Sequence, residues 1–193
     1  MHFPATERNR DALTAVLRDL LPAEGQVVEI GSGSGEHVAH FSTVFPALTW
    51  QPTDPAADAL DSIADWNADR PNVRPPLRLD VLESWPVLTA DVVLCFNVIH
   101  IAPWEVTPAL LRGAVRVLRA GGLLVLYGPF RVAGEPTAPS NETFDLWLKD
   151  RDPRNGVRQL EDVLEIAAEA GLEHDRTVRM PANNLSVVLR RVS

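Results

Sequence analysis

Cysteine is almost missing from this 193-residue chain: Cys95 is its only instance. A lone thiol excludes an intrachain disulfide and argues against a thiolate-built metal site. No spacing of histidines and acids resembles a metal-ligand set either, so no metal is expected. Of the 18 basic residues only Lys149 is a lysine, which says little beyond codon usage. There is no basic block, and the net charge is −8. Nucleic-acid binders neutralise phosphates with clustered cations, so no nucleic-acid partner is expected, short of an arginine patch formed only by folding. The acidic excess reads as a solubility feature. No apolar stretch approaches the roughly 20 residues that cross a bilayer, so no membrane partner is expected. The start, Met1 to Arg8, lacks a basic segment followed by an apolar run, and the expected location is cytoplasmic.

What is present is an ordinary globular composition, 46% hydrophobic and 23% charged, enough for one core; residues 1–193 read as a single domain. Apolar periodicity alternates between helix and strand. Helices are predicted over Thr6–Leu21, around Val38 to Phe45, over Ala56–Asn67, from a Thr107-Pro108 start to Leu118, and over Leu160–Ala170 with Gly171 as cap. Gly121-Gly122 reads as the close of the fourth helix, and a short amphipathic piece carries Phe144, Trp147 and Leu148. Strands are predicted at Gln26–Ile30, Leu48–Pro52, Asp91–Phe96, Leu123–Tyr127, Glu173–Arg179 and Leu185–Val192, with Val73–Leu79 weakened by Pro75 and Pro76. Such alternation gives an α/β fold with an open, mostly parallel sheet covered by helices on both faces.

In these sheets ligands sit beyond the carboxyl ends of the strands, where strand order reverses. Glu29-Ile30-Gly31-Ser32-Gly33-Ser34-Gly35 lies between the first strand and its following helix. Glycines admit close backbone approach, and the helix start offers free N–H groups. A dinucleotide loop needs G-x-G-x-x-G, but the last position is Glu36, which also repels phosphate. Glu29, two residues before Gly31, suits a cofactor carrying an ammonium better than a pyrophosphate. Asp54 follows at the interval of a ribose-binding acid, with capping of the next helix as its plainer role.

The strings Glu29-x-Gly31-x-Gly33-x-Gly35, Asp54, Asp80 and Arg116 to Gly122 resemble the successive motifs of class I S-adenosylmethionine-dependent methyltransferases. Nearly the whole chain is similar, more narrowly, to a methyltransferase-like family of unknown function. That likeness rests on Glu7-Arg8-Asn9, Trp50-Gln51-Pro52, Asn97 to Ile101, Tyr127 to Phe130, Pro139 to Asn141, Arg151 to Pro153 and Met180 to Asn184. The resemblance implies a Rossmann-like, open, twisted, seven-stranded sheet with one antiparallel strand. It also implies S-adenosylmethionine as cofactor, with S-adenosylhomocysteine as product. Glu29 and the loop of Gly31, Ser32, Gly33 and Gly35 would lie near the methionine part, Asp54 on the ribose, and Asp80-Val81 beside the adenine. Asn97 would meet the cofactor amine or the acceptor.

The expected partner is a compact, polar methyl acceptor beyond the central strands; oligomeric state is not readable. His100 is the candidate base and Tyr127 a candidate for orienting the acceptor, although each also suits packing. His37 reads as a solvated helix-face residue. Polar segments at 1–22 and 128–158 read as covers over the site. Arg8, Asn9, Trp104, Asn141, Arg151, Asn183 and Asn184 are the acceptor-facing candidates, with Arg158 as a further cation and Phe130 and Trp147 as possible dry walls. A binding module without transfer, an NAD-dependent dehydrogenase and a nucleic-acid methyltransferase are the rival readings. The last two are disfavoured by the missing third glycine, by Arg131 where a Tyr-x-x-x-Lys pair needs lysine, and by charge.

Overall fold

The first helix buries Leu13 and Leu17 completely, as its periodicity requires, and packs beside the second. The computed structural model describes residues 1–2 and 4–192. Helices are α1 (Pro4–Arg18), α2 (Glu36–Val44), α3 (Ala57–Asn67), α4 (Val106–Val117), α5 (Pro139–Arg151) and α6 (Leu160–Ala170). Strands are β1 (Gly25–Ile30), β2 (Leu48–Asp54), β3 (Leu77–Arg78), β4 (Ala90–Phe96), β5 (Leu118–Arg131), β6 (Arg158–Gln159), β7 (Leu172–Met180) and β8 (Asn184–Arg191).

One sheet runs β3-β2-β1-β4-β5-β8-β7, with the two-residue β6 added beside the end of β5. All pairings from β3 to β5 are parallel, while β8 runs antiparallel to both β5 and β7. This is the Rossmann-like, seven-stranded arrangement with one antiparallel strand. Alternation along the strands divides the core in two. Val27, Leu94, Val125 and Val188 meet α1 and α2 through Leu13, Val38 and Phe41. Val28, Val93, Leu124 and Val187 meet α4 and α6 through Leu110, Ala114 and Val163 on the other face. Cys95 in β4 is buried, and burial, reinforced by the nearby Glu29, pushes its thiol far above the usual range.

Three local expectations change. Helix α4 begins at Val106, and Thr107 lies inside it with a buried hydroxyl that finds no partner among the described residues, so it does not cap. Gly121-Gly122 does not close a helix either: β5 starts at Leu118, and the pairing jumps from Ala90–Leu118 to Val92–Leu123. The glycines form the bulge, where Gly121 takes φ +77° and a Cβ on Gly122 would come within 2.9 Å of Asp91 O. The Val73–Leu79 strand shrinks to Leu77–Arg78 plus a bridge from Trp50 to Val73, because Pro75 and Pro76 donate no ladder bonds. Pro52 is tolerated within β2. It shares the parity of Trp50, whose N–H points outward to Asn72 O, so the donor it lacks faces the sheet's outer side.

Candidate functional site

The strand order reverses between β1 and β4, and the crevice at their carboxyl ends is where the glycine loop emerges. Gly31 turns with φ +69°, and a Cβ there would strike Val98 Cγ2 at 2.6 Å, so the segment after β4 leans on the loop. Gly35 has φ +87° and no room for a Cβ, which would lie 2.7 Å from Ile63 Cα on α3. The loop is fastened to β2: Thr53 Oγ1 donates to Glu29 O at 2.8 Å, and Ser32 N–H donates to Thr53 O at 2.9 Å. Asp54 is buried at the end of β2. Its Oδ2 accepts Gly33 N–H at 2.9 Å while Oδ1 accepts Ala56 N–H at 3.0 Å, so one carboxylate holds the loop and leads into α3. Glu36 in the first turn of α2 meets His2 Nδ1 and Ser34 Oγ, which places negative charge where a dinucleotide would need its phosphates.

Glu29 is the unusual member. Its side chain is buried and Oε2 has no hydrogen-bond partner among the described residues. Burial raises its pKa to about 7, with Ser32 pulling it down and the Asp54 charge pushing it up. Asn97 follows β4 in a left-handed turn of φ 58°, its N–H held by Tyr127 O at 2.8 Å. Asp80 and Val81 follow β3 on the far side of Asp54, which accepts Leu79 N–H at its backbone carbonyl. Asp80 Oδ1 holds Leu82 N–H at 2.9 Å.

A second group gathers around Tyr127. Its hydroxyl accepts Asn184 Nδ2 at 2.9 Å and is also reached by the side chain of Asn9, with Arg8 close enough to act through charge. Burial raises the phenol pKa against the pull of these neighbours. Asn9 Oδ1 meets His37 Nε2 at 2.8 Å, so α1, α2, β5 and β8 are joined through polar side chains. His37 is not solvated as expected: it stacks on Phe41 and meets Phe96 edge-on, and burial drops its pKa to about 4. Periodicity could not reveal this, because Asn9 and Phe96 reach His37 from α1 and β4, distant in sequence.

Other candidates separate. His100 is buried, with Nδ1 unpartnered among the described residues; a Cβ on Gly128 would lie 2.5 Å from its ring, and Phe144 meets it edge-on. Burial, helped by Arg158, lowers its pKa to about 3, which leaves a weak base. Trp104 packs on the α4 side of the core beneath Arg158, whose guanidinium donates to the Ile99, Ala102 and Arg154 carbonyls. Arg151 lies 3.7 Å from the exposed Trp147 ring centroid. Asn141, Asn183 and Asn184 do come together, at a cavity of about 160 Å³ beyond β5. Its other walls, including Phe130, Glu135, Arg179 and Met180, carry no sequence signal that marks them as a group.

Solved structures share this fold. A calicheamicin-biosynthesis methyltransferase, CalO1, in its S-adenosylhomocysteine-bound form, is 20% identical with a TM-score of 0.73 over 95% of this chain and 55% of its own. An O-methyltransferase family protein from Burkholderia thailandensis is 17% identical with a TM-score of 0.81, covering 98% and 58%. An O-methyltransferase family 2 protein from Planctomyces limnophilus, in complex with apigenin, is 18% identical with a TM-score of 0.78, covering 95% and 62%. The chain thus spans little more than half the length of these proteins. A family profile described as protein of unknown function (DUF938) matches residues 1–191. By that match the chain belongs to the DUF938 family, whose function is unassigned.

Proposed function

We propose that this protein is an S-adenosylmethionine-dependent methyltransferase acting in line on a small polar molecule. The observation that carries the reading is Glu29: a buried carboxyl beside a left-handed glycine loop, with one oxygen unpartnered. An uncompensated buried acid is costly, and an ammonium entering the crevice would supply its missing partner. S-adenosylmethionine bears such an ammonium and supplies an electrophilic methyl group. Asp54 would take the ribose hydroxyls, and Asp80 with Val81 would border the base. The S-adenosylhomocysteine-bound neighbour and the apigenin complex support the same reading.

Transfer needs alignment and exclusion of water more than a side-chain base. Tyr127, fixed by Asn184, orients the acceptor, with Arg8 and Asn9 on α1 and segment 128–158 as its cover. His100 shapes the floor, since an imidazole of pKa about 3 is too weak a base for a neutral hydroxyl. Calorimetry with S-adenosylhomocysteine and with NAD tests the reading. Micromolar binding of the first, reduced roughly tenfold or more by Asp54→Ala, supports it. Binding of NAD alone, or of neither, overturns it.

A further inference from the structure

At the carboxyl end of β5 the Tyr127 hydroxyl closes a directed chain of hydrogen bonds. Asn9 Oδ1 can only accept, so His37 Nε2 donates to it at 2.8 Å, and Asn9 turns its amide N–H side to Tyr127 Oη. Asn184 Nδ2 donates to the same oxygen from β8 at 2.9 Å. A phenol oxygen has two lone pairs and one proton. Both acceptor positions are thereby taken, and the O–H donates to no group among the described residues. Arg8, one residue before Asn9 on α1, is close enough to act on Tyr127 through charge. It makes no hydrogen bond or ion pair of its own among the described residues. The described groups that act on Tyr127 are thus two amides and a cation, with no acid among them. Asn184 is half-buried and lines the cavity beyond β5, so open space lies one side chain from the hydroxyl.

We propose that Tyr127 and Arg8 receive a carboxylate, and that the acceptor of the proposed transfer is a compact molecule carrying one. The second half rests on the methyltransferase reading; the first does not. An O–H whose lone pairs are both engaged by donors is polarised toward giving its proton to a bound oxygen, and an anionic oxygen is its strongest partner. Arg8 supplies the countercharge that a partly buried carboxylate requires. One cation and one hydroxyl match a single negative charge and leave a phosphate dianion under-compensated. The amides do not select, since Asn184 Oδ1 can also accept; the hydroxyl and the guanidinium do. Charge divides the crevice: Glu29 and Asp54 stand at β1 and β2, and the donors stand at β5, β8 and α1. Under the methyltransferase reading, a cationic cofactor on the acid side and an anionic acceptor on the donor side are drawn face to face.

Tyr127 is the only tyrosine of the chain, so tyrosine carrying carbon-13 at Cζ gives a single NMR resonance that reports this hydroxyl. The experiment titrates the labelled full chain with acetate and benzoate, with their amides acetamide and benzamide, and with inorganic phosphate. S-adenosylhomocysteine is titrated separately. The expected result is carboxylate binding at least about tenfold tighter than binding of the matching amide or of phosphate, with the Cζ resonance moving downfield toward the phenolate position. Tyr127→Phe, which keeps the ring, and Arg8→Gln, on the exposed face of α1, are each expected to lower carboxylate affinity about fivefold or more. Absent binding of both carboxylates, equal binding of acid and amide, or tighter binding of phosphate overturns the proposal. So does carboxylate binding that leaves the Cζ resonance unmoved, or an unchanged affinity in a folded Arg8→Gln. Carboxylate binding without S-adenosylhomocysteine binding upholds the anion site and overturns its role in methyl transfer; the converse overturns the anion site alone.

Discussion

Glu29 shows how a single carboxyl couples stability to ligand binding. Its pKa is raised from an ordinary 4.5 to about 7, so the fold holds the proton more tightly than the unfolded chain does. The favourable contribution is complete below about 4.5 and is lost as pH rises through about 7. The difference is on the order of 3 kcal/mol for this fully buried group. Glu29→Gln is therefore expected to be about 2 kcal/mol more stable than the parent near pH 8, and equal to it near pH 5, by urea unfolding. Under the proposed function the same variant gives up affinity: S-adenosylhomocysteine binding strengthens from about pH 6 to 8 in the parent, releases protons, and loses that dependence in Glu29→Gln. A parent whose affinity is flat across this range would refute the ammonium-facing role. Spacing alone singled out Glu29 and Asp54, which the structure places near the end of β1 and at the end of β2. Nothing in it showed that Asn9 and His37 would meet, because their contact joins two helices 28 residues apart.

Helices α2 and α3 are held together at Gly35, and α5 is held to the sheet by Asp145. Gly35→Ala brings a Cβ to 2.7 Å from the Ile63 backbone and imposes a φ of +87° on an L-residue. A loss of about 2 to 3 kcal/mol is expected from the clash and the strained backbone, measurable as a lower urea midpoint. Asp145 is only 3% exposed and receives Val157 N–H at 2.8 Å, Lys149 Nζ at 2.7 Å and Arg131 Nη2 at 3.1 Å. Burial works against its charge, but these donors outweigh it and hold the pKa below the ordinary range. Its contribution is present above the ordinary aspartate value and disappears as pH falls through the depressed one. Asp145→Ala leaves the Val157 N–H without an acceptor and is expected to cost roughly 2 kcal/mol. Limited proteolysis should then cut first within 152–157, and an unchanged cleavage pattern would remove the latch. Periodicity located the strands and most helices, since burial on alternating faces dictates apolar spacing. It failed at Gly121-Gly122, where a bulge and a helix cap demand the same glycine freedom. It saw only an amphipathic fragment in α5, because that helix leaves Leu146 69% and Trp147 46% exposed.

Across the whole molecule, charge and length set the terms. The net charge of −8 has no basic block to offset it, and Arg158, Arg131 and Arg154 are spent on carbonyls or carboxylates of the chain itself. A 20-base-pair duplex at about 50 mM salt is expected to show no micromolar affinity in a fluorescence-anisotropy titration, and measurable binding would reopen a nucleic-acid role. Among the described residues no helix is long and apolar enough to cross a membrane. The proteins that share this fold are longer, and the match covers 55–62% of their own chains. The lone cysteine adds a practical consequence. Cys95 is sealed inside β4 with its thiol kept protonated, so the native surface is inert toward maleimides. One cysteine placed on the outer face of α5 would be the only reactive thiol on the folded protein. A single fluorophore could then report, without background, whether that helix shifts when a ligand enters.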